Sequence, residues 1–286
     1  VIGVLGSTGA VGRAVLGFLA EHDVRPGTRA DVGNLQQWCD GCTVVINCTG
    51  LPLCENIVAA GADYVDPSAR PDDIPTRPAS GSGRDSAESG NRHLSKHPTD
   101  ADRPGRIAVF DAGAMPGCIG LLPRYLAAQL NEAPARLVVE AGGLYRFTPA
   151  SAAEFLHTPH GWRDQAARVD QALGLTASAW TTRFDGDCVR RLLRHGTPTA
   201  DQLTAASAAD AAGRSEYLTF DAELTGHHGT VRSAQVRTAP DLTARIAVAT
   251  ALAVLHGEIP TGTHSADDVL DPIRVVPALL SDEGTL

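Results

Sequence analysis

Gly6-Ser-Thr-Gly9-Ala-Val-Gly12 stands between a short apolar run, Val1–Leu5, and a stretch in which Val11, Val15, Phe18 and Leu19 recur at helical spacing. The predicted order is therefore strand, glycine turn, amphipathic helix, the helix running over about residues 11–21. Each glycine has a separate physical use: Gly6 permits the tight turn, Gly9 lets main chain approach a pyrophosphate, and Gly12 lets the helix pack close to the strand. The helix N-terminus turns free N–H groups and partial positive charge towards an anion. Ser7 and Thr8 add hydroxyl donors. A glycine triplet alone is a weak motif, but these flanks give it context, and Gly6, Ser7, Thr8, Gly9, Ala10, Val11 and Gly12 are the expected cofactor cradle.

The segments that follow keep the same alternation. Residues 22–28 read as a second strand and its turn, 35–39 as a short helix, and 43–47 (Thr-Val-Val-Ile-Asn) as a buried parallel strand entering Cys48-Thr49-Gly50. Residues 56–60 read as helix, 62–66 as strand, and 107–110 as a strand running into the loop Asp111-Ala-Gly-Ala-Met-Pro-Gly117. Strands alternating with helices predict α/β architecture with a doubly wound, Rossmann-type parallel sheet. Arg29 is followed almost at once by Asp31-Val32, where such a fold normally places a helix and a strand. Either the unit is abbreviated there or residues are missing from the chain. Residues 76–105 hold almost no apolar side chains and read as a flexible insertion.

Beyond about residue 131 the pattern changes. Residues 136–140 read as strand, and 150–156, 163–173 and 200–212 as helices. Residues 217–224 and 230–237 alternate across Gly226-His-His-Gly229, which predicts a hairpin. A long helix is expected over 241–256. The division expected is a cofactor-binding domain over 1–130 and an α+β domain built on antiparallel strands over 131–286, serving substrate binding and dimerisation, with the C-terminal segment returning to the first domain. The chain is expected to pair as a homodimer.

The formal net charge of −9 over 286 residues offers no basic stripe for nucleic acid. No apolar run has the length needed to cross a bilayer, and the first residues read as a core strand rather than a signal peptide, so a cytoplasmic location is expected. Cys39-x-x-Cys42 has no second pair to complete a zinc site. Reduced thiols and no metal are expected. Lys96 is the chain's only lysine, which leaves little room for a mechanism needing a buried catalytic amine.

Cofactor choice is read at the end of the second strand, where NAD enzymes usually place a carboxylate for the ribose hydroxyls. This chain has Gly27-Thr28-Arg29 there, with Arg25 nearby. A guanidinium suits a phosphate, so Thr28 and Arg29 are expected to receive the 2′-phosphate of NADPH.

These residues together resemble the saccharopine dehydrogenase-like reductases. The likeness rests on Gly6–Gly12, on Val44-Val-Ile-Asn47-Cys-Thr-Gly50, on Ala62-Asp-Tyr-Val-Asp66-Pro-Ser68, on Ala112-Gly-Ala-Met-Pro116-Gly-Cys-Ile-Gly120-Leu-Leu-Pro123, and on the ending Gly262-Thr-His-Ser-Ala-Asp-Asp-Val-Leu-Asp271-Pro272. The resemblance implies hydride transfer between NADPH and a C=N carbon. It implies that Cys48, Thr49 and Gly50 line the nicotinamide ribose, that Asp66 and Ser68 lie at the mouth of the site, and that Met115-Pro116-Gly117 packs near the nicotinamide. The chain departs from saccharopine-forming members in a much shorter second domain and in having no evident cluster of basic residues for a dicarboxylate amino acid. Gly142-Gly-Leu-Tyr145-Arg-Phe-Thr-Pro149 is similar to the thiazolinyl imine reductases of siderophore assembly, which implies a small or carrier-protein-bound imine as substrate.

Reduction of an imine needs a proton as well as a hydride. His157, His160 and Tyr145 are the candidate donors, with Asp66 to orient or relay. A short-chain-type alcohol dehydrogenase would need a tyrosine with a lysine four residues on. Tyr64, Tyr125, Tyr145 and Tyr217 are followed at that spacing by Ser68, Gln129, Pro149 and Asp221, so that reading fails. A saccharopine dehydrogenase-like amino-acid dehydrogenase, and a sensor or scaffold that binds NADPH without turnover, stay open as alternatives.

Overall fold

The computed structural model describes residues 1–68, 105–157, 161–238 and 241–280. The insertion expected at 76–105 falls almost wholly outside the described residues. The first part runs β1 (Ile2–Leu5), α1 (Ala10–Phe18), β2 (Val24–Gly27), a 3-10 segment over Arg29–Asn34, the single turn α2 (Leu35–Trp38), β3 (Val44–Asn47), α3 (Cys54–Ala59), β4 (Asp63–Val65) and β5 (Ile107–Phe110). Then follow α4 (Cys118–Ala128), β6 (Pro134–Leu144), α5 (Pro149–His157), α6 (Gly161–Leu173), β7 (Ala177–Phe184), α7 (Asp187–Arg194), α8 (Ala200–Ala211), β8 (Tyr217–Gly226) and β9 (Val231–Thr238). The chain closes with α9 (Leu242–Leu255), β10 (Gly262–Ser265), α10 (Ala266–Val269) and α11 (Pro272–Leu280).

Six parallel strands form the first sheet in the order β10-β5-β4-β3-β1-β2. Its inner strands β1, β3 and β5 are short and mostly apolar because both faces are covered. Alternate residues of the sheet feed two separate cores. Ile2, Val4, Val44, Ile46, Val65, Ile107 and Val109 join Val15 of α1, Leu19 just after it, and Ile246 of α9. Leu5, Val45, Tyr64, Ala108 and Phe110 join Leu35 of α2 and Ile57 of α3 on the other face. The chain order reverses between β1 and β3, and the ligand crevice of an open parallel sheet forms outside the carboxyl ends of the strands at such a point.

The chain is continuous past Arg29, and the second crossover is abbreviated: the 3-10 segment and one helical turn replace a full helix and strand, leaving β2 at the sheet edge. Trp38 covers the gap with its indole. A Cβ on Gly27 would come within 2.5 Å of that ring and one on Gly3 within 2.8 Å, so both strand glycines make room for it.

The second sheet has the order β7-β6-β8-β9. The expected hairpin is present as the antiparallel pair β8/β9, and β6 pairs antiparallel with β8. The sheet is nevertheless mixed, because β6 and β7 run parallel. The connection between them carries α5 and α6, and a crossover of that length returns a strand in the same direction. Leu137, Val139, Phe220, Leu224 and Val236 of this sheet belong to the same buried cluster as Ile2 and Val44, with Leu121, Leu122 and Leu126 of α4 packed among them. One core thus spans both sheets, and burial of each such leucine contributes about 1.5–3 kcal/mol.

Gly142 and Gly143 show how tightly β6 is held. Gly142 has φ of +152° and a Cβ there would lie 1.8 Å from Arg183 O on β7; Gly143 has φ of +138° and its Cβ would lie 2.4 Å from Tyr217 O on β8. Gly174, also at positive φ (+64°), has open space around it. Gly142→Ala should therefore lower the unfolding free energy by about 3 kcal/mol and Gly174→Ala by about 1 kcal/mol. Urea denaturation monitored by circular dichroism measures both, and equal midpoints for the two variants would contradict this packing of β6.

Candidate cofactor and substrate site

The glycine turn after β1 is locked to its neighbours through main chain. Gly6 adopts φ of +77°, and a Cβ on it would lie 2.6 Å from Cys48 O. A Cβ on Gly12 would lie 2.2 Å from Gly6 O, so α1 presses directly on the turn. Ser7 N–H donates to Gly27 O at 2.9 Å and Cys48 N–H to Leu5 O at 2.8 Å. The ends of β1, β2 and β3 are thereby tied together at the switch point. Gly9 stands at the N-cap of α1 with no side-chain cap and no acidic residue in the first turn. Thr8, Gly9 and Ala10 are exposed. The nine-residue α1 thus offers uncapped N–H groups beside a Cβ-free approach, a cradle that fits a dinucleotide pyrophosphate.

At the end of β2, Arg29 is exposed and its Nη2 lies 3.3 Å from Thr49 O, so the guanidinium reaches from the loop after β2 to the loop after β3. Thr28 serves the 3-10 segment as its cap: its N–H and hydroxyl donate to Asp31 Oδ2 at 2.6 and 2.9 Å, and Ala30 N–H donates back to its Oγ1 at 3.2 Å. The main-chain bond from Thr28, followed by that from its hydroxyl, holds the Asp31 carboxyl below the usual carboxylate range. Arg25 points away, donating to Trp38 O at 2.7 Å and Asp40 O at 2.5 Å, where it closes the end of α2. Of the three, Arg29 is the one aimed across the crevice.

The loop after β3 hangs on a buried polar network. Asn47 Oδ1 accepts from Thr49 N–H at 3.2 Å and Thr49 Oγ1 at 2.7 Å, while its Nδ2 donates to Leu51 O at 2.8 Å and lies within 3.0 Å of Tyr64 Oη and Asp66 Oδ2. Gly50 completes the turn at φ of +74°. Asp66 is 1% exposed. Its Oδ2 accepts from the Tyr64 hydroxyl and its Oδ1 from Ser68 N–H and Oγ at 2.9 and 2.7 Å. The resemblance placed Asp66 at the mouth of the site; the structure puts it beneath, where its oxygens are already engaged and it braces the loops after β3 and β4. Burial pushes its carboxyl above the usual range, opposed by those bonds. Burial, aided by the charge of Asp66, pushes the Cys48 thiol up to about 12, so Cys48 is a neutral wall rather than a nucleophile.

Met115 lies at the end of β5 in a loop pressed against the Asp66 turn: a Cβ on Gly113 would be 2.3 Å from Pro67 O. Tyr145 is half-buried in a separate aromatic group, with ring centroids 5.1 Å from Phe147 and 6.2 Å from Phe184. Burial raises its phenol well above the ordinary value, which keeps it protonated and makes it a reluctant acid. His157 closes α5, and His160 lies outside the described residues. The cysteines of the C-x-x-C pair are buried free thiols, Cys39 pushed up to about 11 by burial. Among the described residues no group of three or more histidine, cysteine, aspartate or glutamate side chains is placed to hold a metal, and no helix is long and apolar enough to cross a membrane.

Sequence reasoning passed over a charged cluster beside the Met115 loop. Asp111, 1% exposed, accepts from Arg168 Nη2 at 2.5 Å and Ser265 Oγ at 2.8 Å. Asp267, equally buried, lies 3.8 Å from Arg168 and 3.4 Å from Arg124, and burial lifts its carboxyl to about 6. Asp111 carried a signal, as an isolated aspartate after the apolar strand Ile107–Phe110, whereas Asp267, in Ser265-Ala-Asp-Asp268, carried none.

No family model matches the chain, and no curated protein matches it. Solved structures of similar architecture exist. The apo, histidine-tagged saccharopine dehydrogenase (L-Glu forming) of Saccharomyces cerevisiae is 11% identical, with 95% of each chain covered and a TM-score of 0.52. A meso-dapdh mutant with DAP from Clostridium tetani E88 is 13% identical over 99% of this chain and 96% of that one, TM-score 0.46. A myo-inositol-1-phosphate synthase-related protein from Thermotoga maritima MSB8 is 12% identical over 97% and 98%, TM-score 0.41. The yeast structure is similar in fold to this chain, whose own architecture is a six-stranded parallel Rossmann-like sheet with a second, mixed four-stranded sheet.

The glycine turn generates a direct test. A Cβ on Gly9 would meet only Gly6 O, at 3.2 Å. Gly9→Val should leave the melting temperature within a few degrees while abolishing any nicotinamide-dinucleotide binding in a fluorescence titration, because the branched side chain fills the pyrophosphate approach. Gly12→Val should unfold the first sheet instead. Undiminished dinucleotide affinity in Gly9→Val would place the ligand elsewhere.

Proposed function

We propose that this chain is an NADPH-dependent oxidoreductase that reduces a C=N bond. The observation that carries the cofactor half is the uncapped N-terminus of α1 over a Cβ-free turn, set at the strand-order reversal and faced by the Cys48–Gly50 loop. Arg29, reaching over that crevice to Thr49 O, supports NADPH over NADH, since a guanidinium gains more from a phosphate dianion than from a neutral diol. When bound, the nicotinamide supplies the hydride.

The chain's own residues then have distinct tasks. Main-chain N–H groups at the start of α1 hold the pyrophosphate. Asn47 and Asp66 keep the Cys48–Gly50 loop rigid from below, so the ribose is met by a wall that does not relax. Met115, half-buried on the large core, faces the reacting end with a thioether that neither donates a proton nor admits water. The substrate class follows from the machinery the sequence lacks. There is no Tyr/Lys pair, and the single lysine is Lys96, so a carbonyl would find little activation. An imine needs less, because a proton on its nitrogen makes the carbon electrophilic, and one modest acid worth about 10²–10⁴-fold suffices. We assign that acid to His157 at the end of α5, ahead of His160 and Tyr145. The Gly142–Pro149 segment supports a cyclic, thiazolinyl-type imine, free or bound to a carrier protein. The yeast neighbour's name, a saccharopine dehydrogenase, agrees with chemistry at a carbon–nitrogen bond.

One set of assays tests this. The unaltered protein should oxidise NADPH in the presence of cyclic imines, bind NADPH more than about tenfold tighter than NADH (about 1.4 kcal/mol), and leave simple ketones and alcohols unchanged. Arg29→Asp should remove or reverse the cofactor preference. His157→Ala should lose kcat while keeping cofactor affinity, and the loss should shrink at lower pH as solvent supplies the proton. Ready alcohol oxidation with inert imines would overturn the imine reading, and equal affinity for both cofactors would overturn the role of Arg29.

A further inference from the structure

The Asp111–Gly117 loop is folded back on itself so closely that it needs outside support. Asp111 sits at φ of +56°, in the left-handed region that non-glycine residues occupy at about 1–3 kcal/mol of strain when nothing compensates. Gly117 has φ of +121°, and a Cβ there would lie 2.1 Å from Gly113 O and 2.4 Å from Asp111 O. The support comes from one helix. Gln165, 1% exposed on α6, accepts from Gly117 N–H at 3.2 Å and places its Nε2 3.4 Å from Gly117 O, so its amide addresses both main-chain groups of the loop's last residue. Three residues on, Arg168 grips the loop's first residue, donating to Asp111 Oδ2 at 2.5 Å.

We infer that Gln165 and Arg168 are positioning residues for the cofactor site: from adjacent turns of α6 they hold the two ends of the Asp111–Gly117 loop and thereby fix Met115 at the carboxyl edge of β5. Residues at i and i+3 share a helix face, so a single rigid element sets the span of the loop. The grip on Asp111 is reinforced from the sheet side. Ser265, at the end of β10, donates to the same Oδ2 at 2.8 Å, and Asp267 steadies Arg168 from 3.8 Å. Asp267 is in turn held beneath α4 by Arg124 at 3.4 Å, and a Cβ on Gly120 would lie 2.4 Å from its Oδ2, so it has no room to move away. Removing the Arg168 guanidinium takes from buried Asp111 the charge that pairs it and leaves Asp267 with Arg124 alone, which frees the first end of the loop. The functional consequence, that Met115 is held against the nicotinamide, rests on the nicotinamide reading above; the mechanical claim does not.

Met115 is the chain's only methionine, which gives the inference a readout independent of turnover. In protein labelled with 13C-methyl methionine, Met115 should give one sharp methyl resonance, any start methionine added for expression being identified with Met115→Leu. In Arg168→Gln and in Gln165→Leu that resonance should split or broaden at least about twofold before any cofactor is added, and Arg168→Lys should keep it single. NADPH added to the unaltered protein should shift it. With cofactor and imine, Arg168→Gln should lose at least about tenfold in kcat, with a smaller change in KM, since misplacement of about 1 Å costs up to 10²-fold, while NADPH affinity set by the Gly6–Gly12 turn stays within about threefold. If Arg168→Gln does not fold, the uncharged change Gln165→Leu carries the test. Met115 resonances of the folded variants that superimpose on the unaltered one would overturn the positioning role. A Met115 resonance that the variants disturb but NADPH leaves in place would uphold the positioning role and overturn the nicotinamide reading.

Discussion

At the switch point of the first sheet, three stretches of main chain meet at distances that exclude any side chain between them. Gly12 presses α1 onto Gly6, where a Cβ would come within 2.2 Å of the carbonyl oxygen, and Gly6 presses the same turn onto Cys48, at 2.6 Å. Everything at the carboxyl edge follows from that contact. It sets the height of the α1 N-terminus above the strands, brings the loop after β3 over the crevice, and leaves Arg29 near enough to reach Thr49 O. A helix dipole and a row of free N–H groups are useful to an anion only over the first turn, so this closeness of main chain turns an ordinary helix start into a site.

Loops held so near a ligand cannot be supported by apolar packing alone, because their own N–H and C=O groups need partners. The structure answers with two buried polar assemblies. Asn47 and Asp66 carry the loops after β3 and β4, and Asp111, Ser265, Arg168 and Gln165 carry the loop after β5. In both, an aspartate just past the end of a strand gathers the bonds, Asp66 from Asn47, Tyr64 and Ser68 and Asp111 from Arg168 and Ser265, and desolvation raises its carboxyl. The hydrogen bonds and the guanidinium offset that cost, and in exchange the loops are fixed in one arrangement. The mixed second sheet contributes through α6, which lies in the crossover from β6 to β7 and brings Gln165 and Arg168 to the cofactor edge.

The sheet was legible wherever local chemistry decided the outcome. The glycine turn, the apolar strands and the β8/β9 hairpin are written in spacing that needs no partner from elsewhere in the chain. Helix α4 was not legible, because Cys118–Ala128 opens on a continuous apolar run that shows no helical period and contains Pro123; it forms because it packs between the second sheet and α11 rather than from its own pattern. Nor was strand β7, whose mostly exposed residues show no apolar alternation, nor its direction, which the α5 and α6 crossover from β6 sets. At the site, Gly6–Gly12, Arg29 and the Cys48–Gly50 loop could be named from sequence, since main-chain geometry and strand order place them. Asp66 could be named but not placed, because its burial is set by Asn47 and Tyr64 from two other strand positions. Gln165 and Arg168 carry no local sign at all, for what they hold lies about fifty residues earlier in the chain.

The central claim, that a nicotinamide dinucleotide lies across the β1/β3 switch point, is tested most directly by the crystallographic difference density of the NADPH complex. The account predicts the pyrophosphate within hydrogen-bonding distance of main-chain N–H groups between Thr8 and Gly12, the 2′-phosphate at the Arg29 guanidinium, and the nicotinamide ring against Met115. Ordered cofactor density away from the N-terminus of α1 would contradict it.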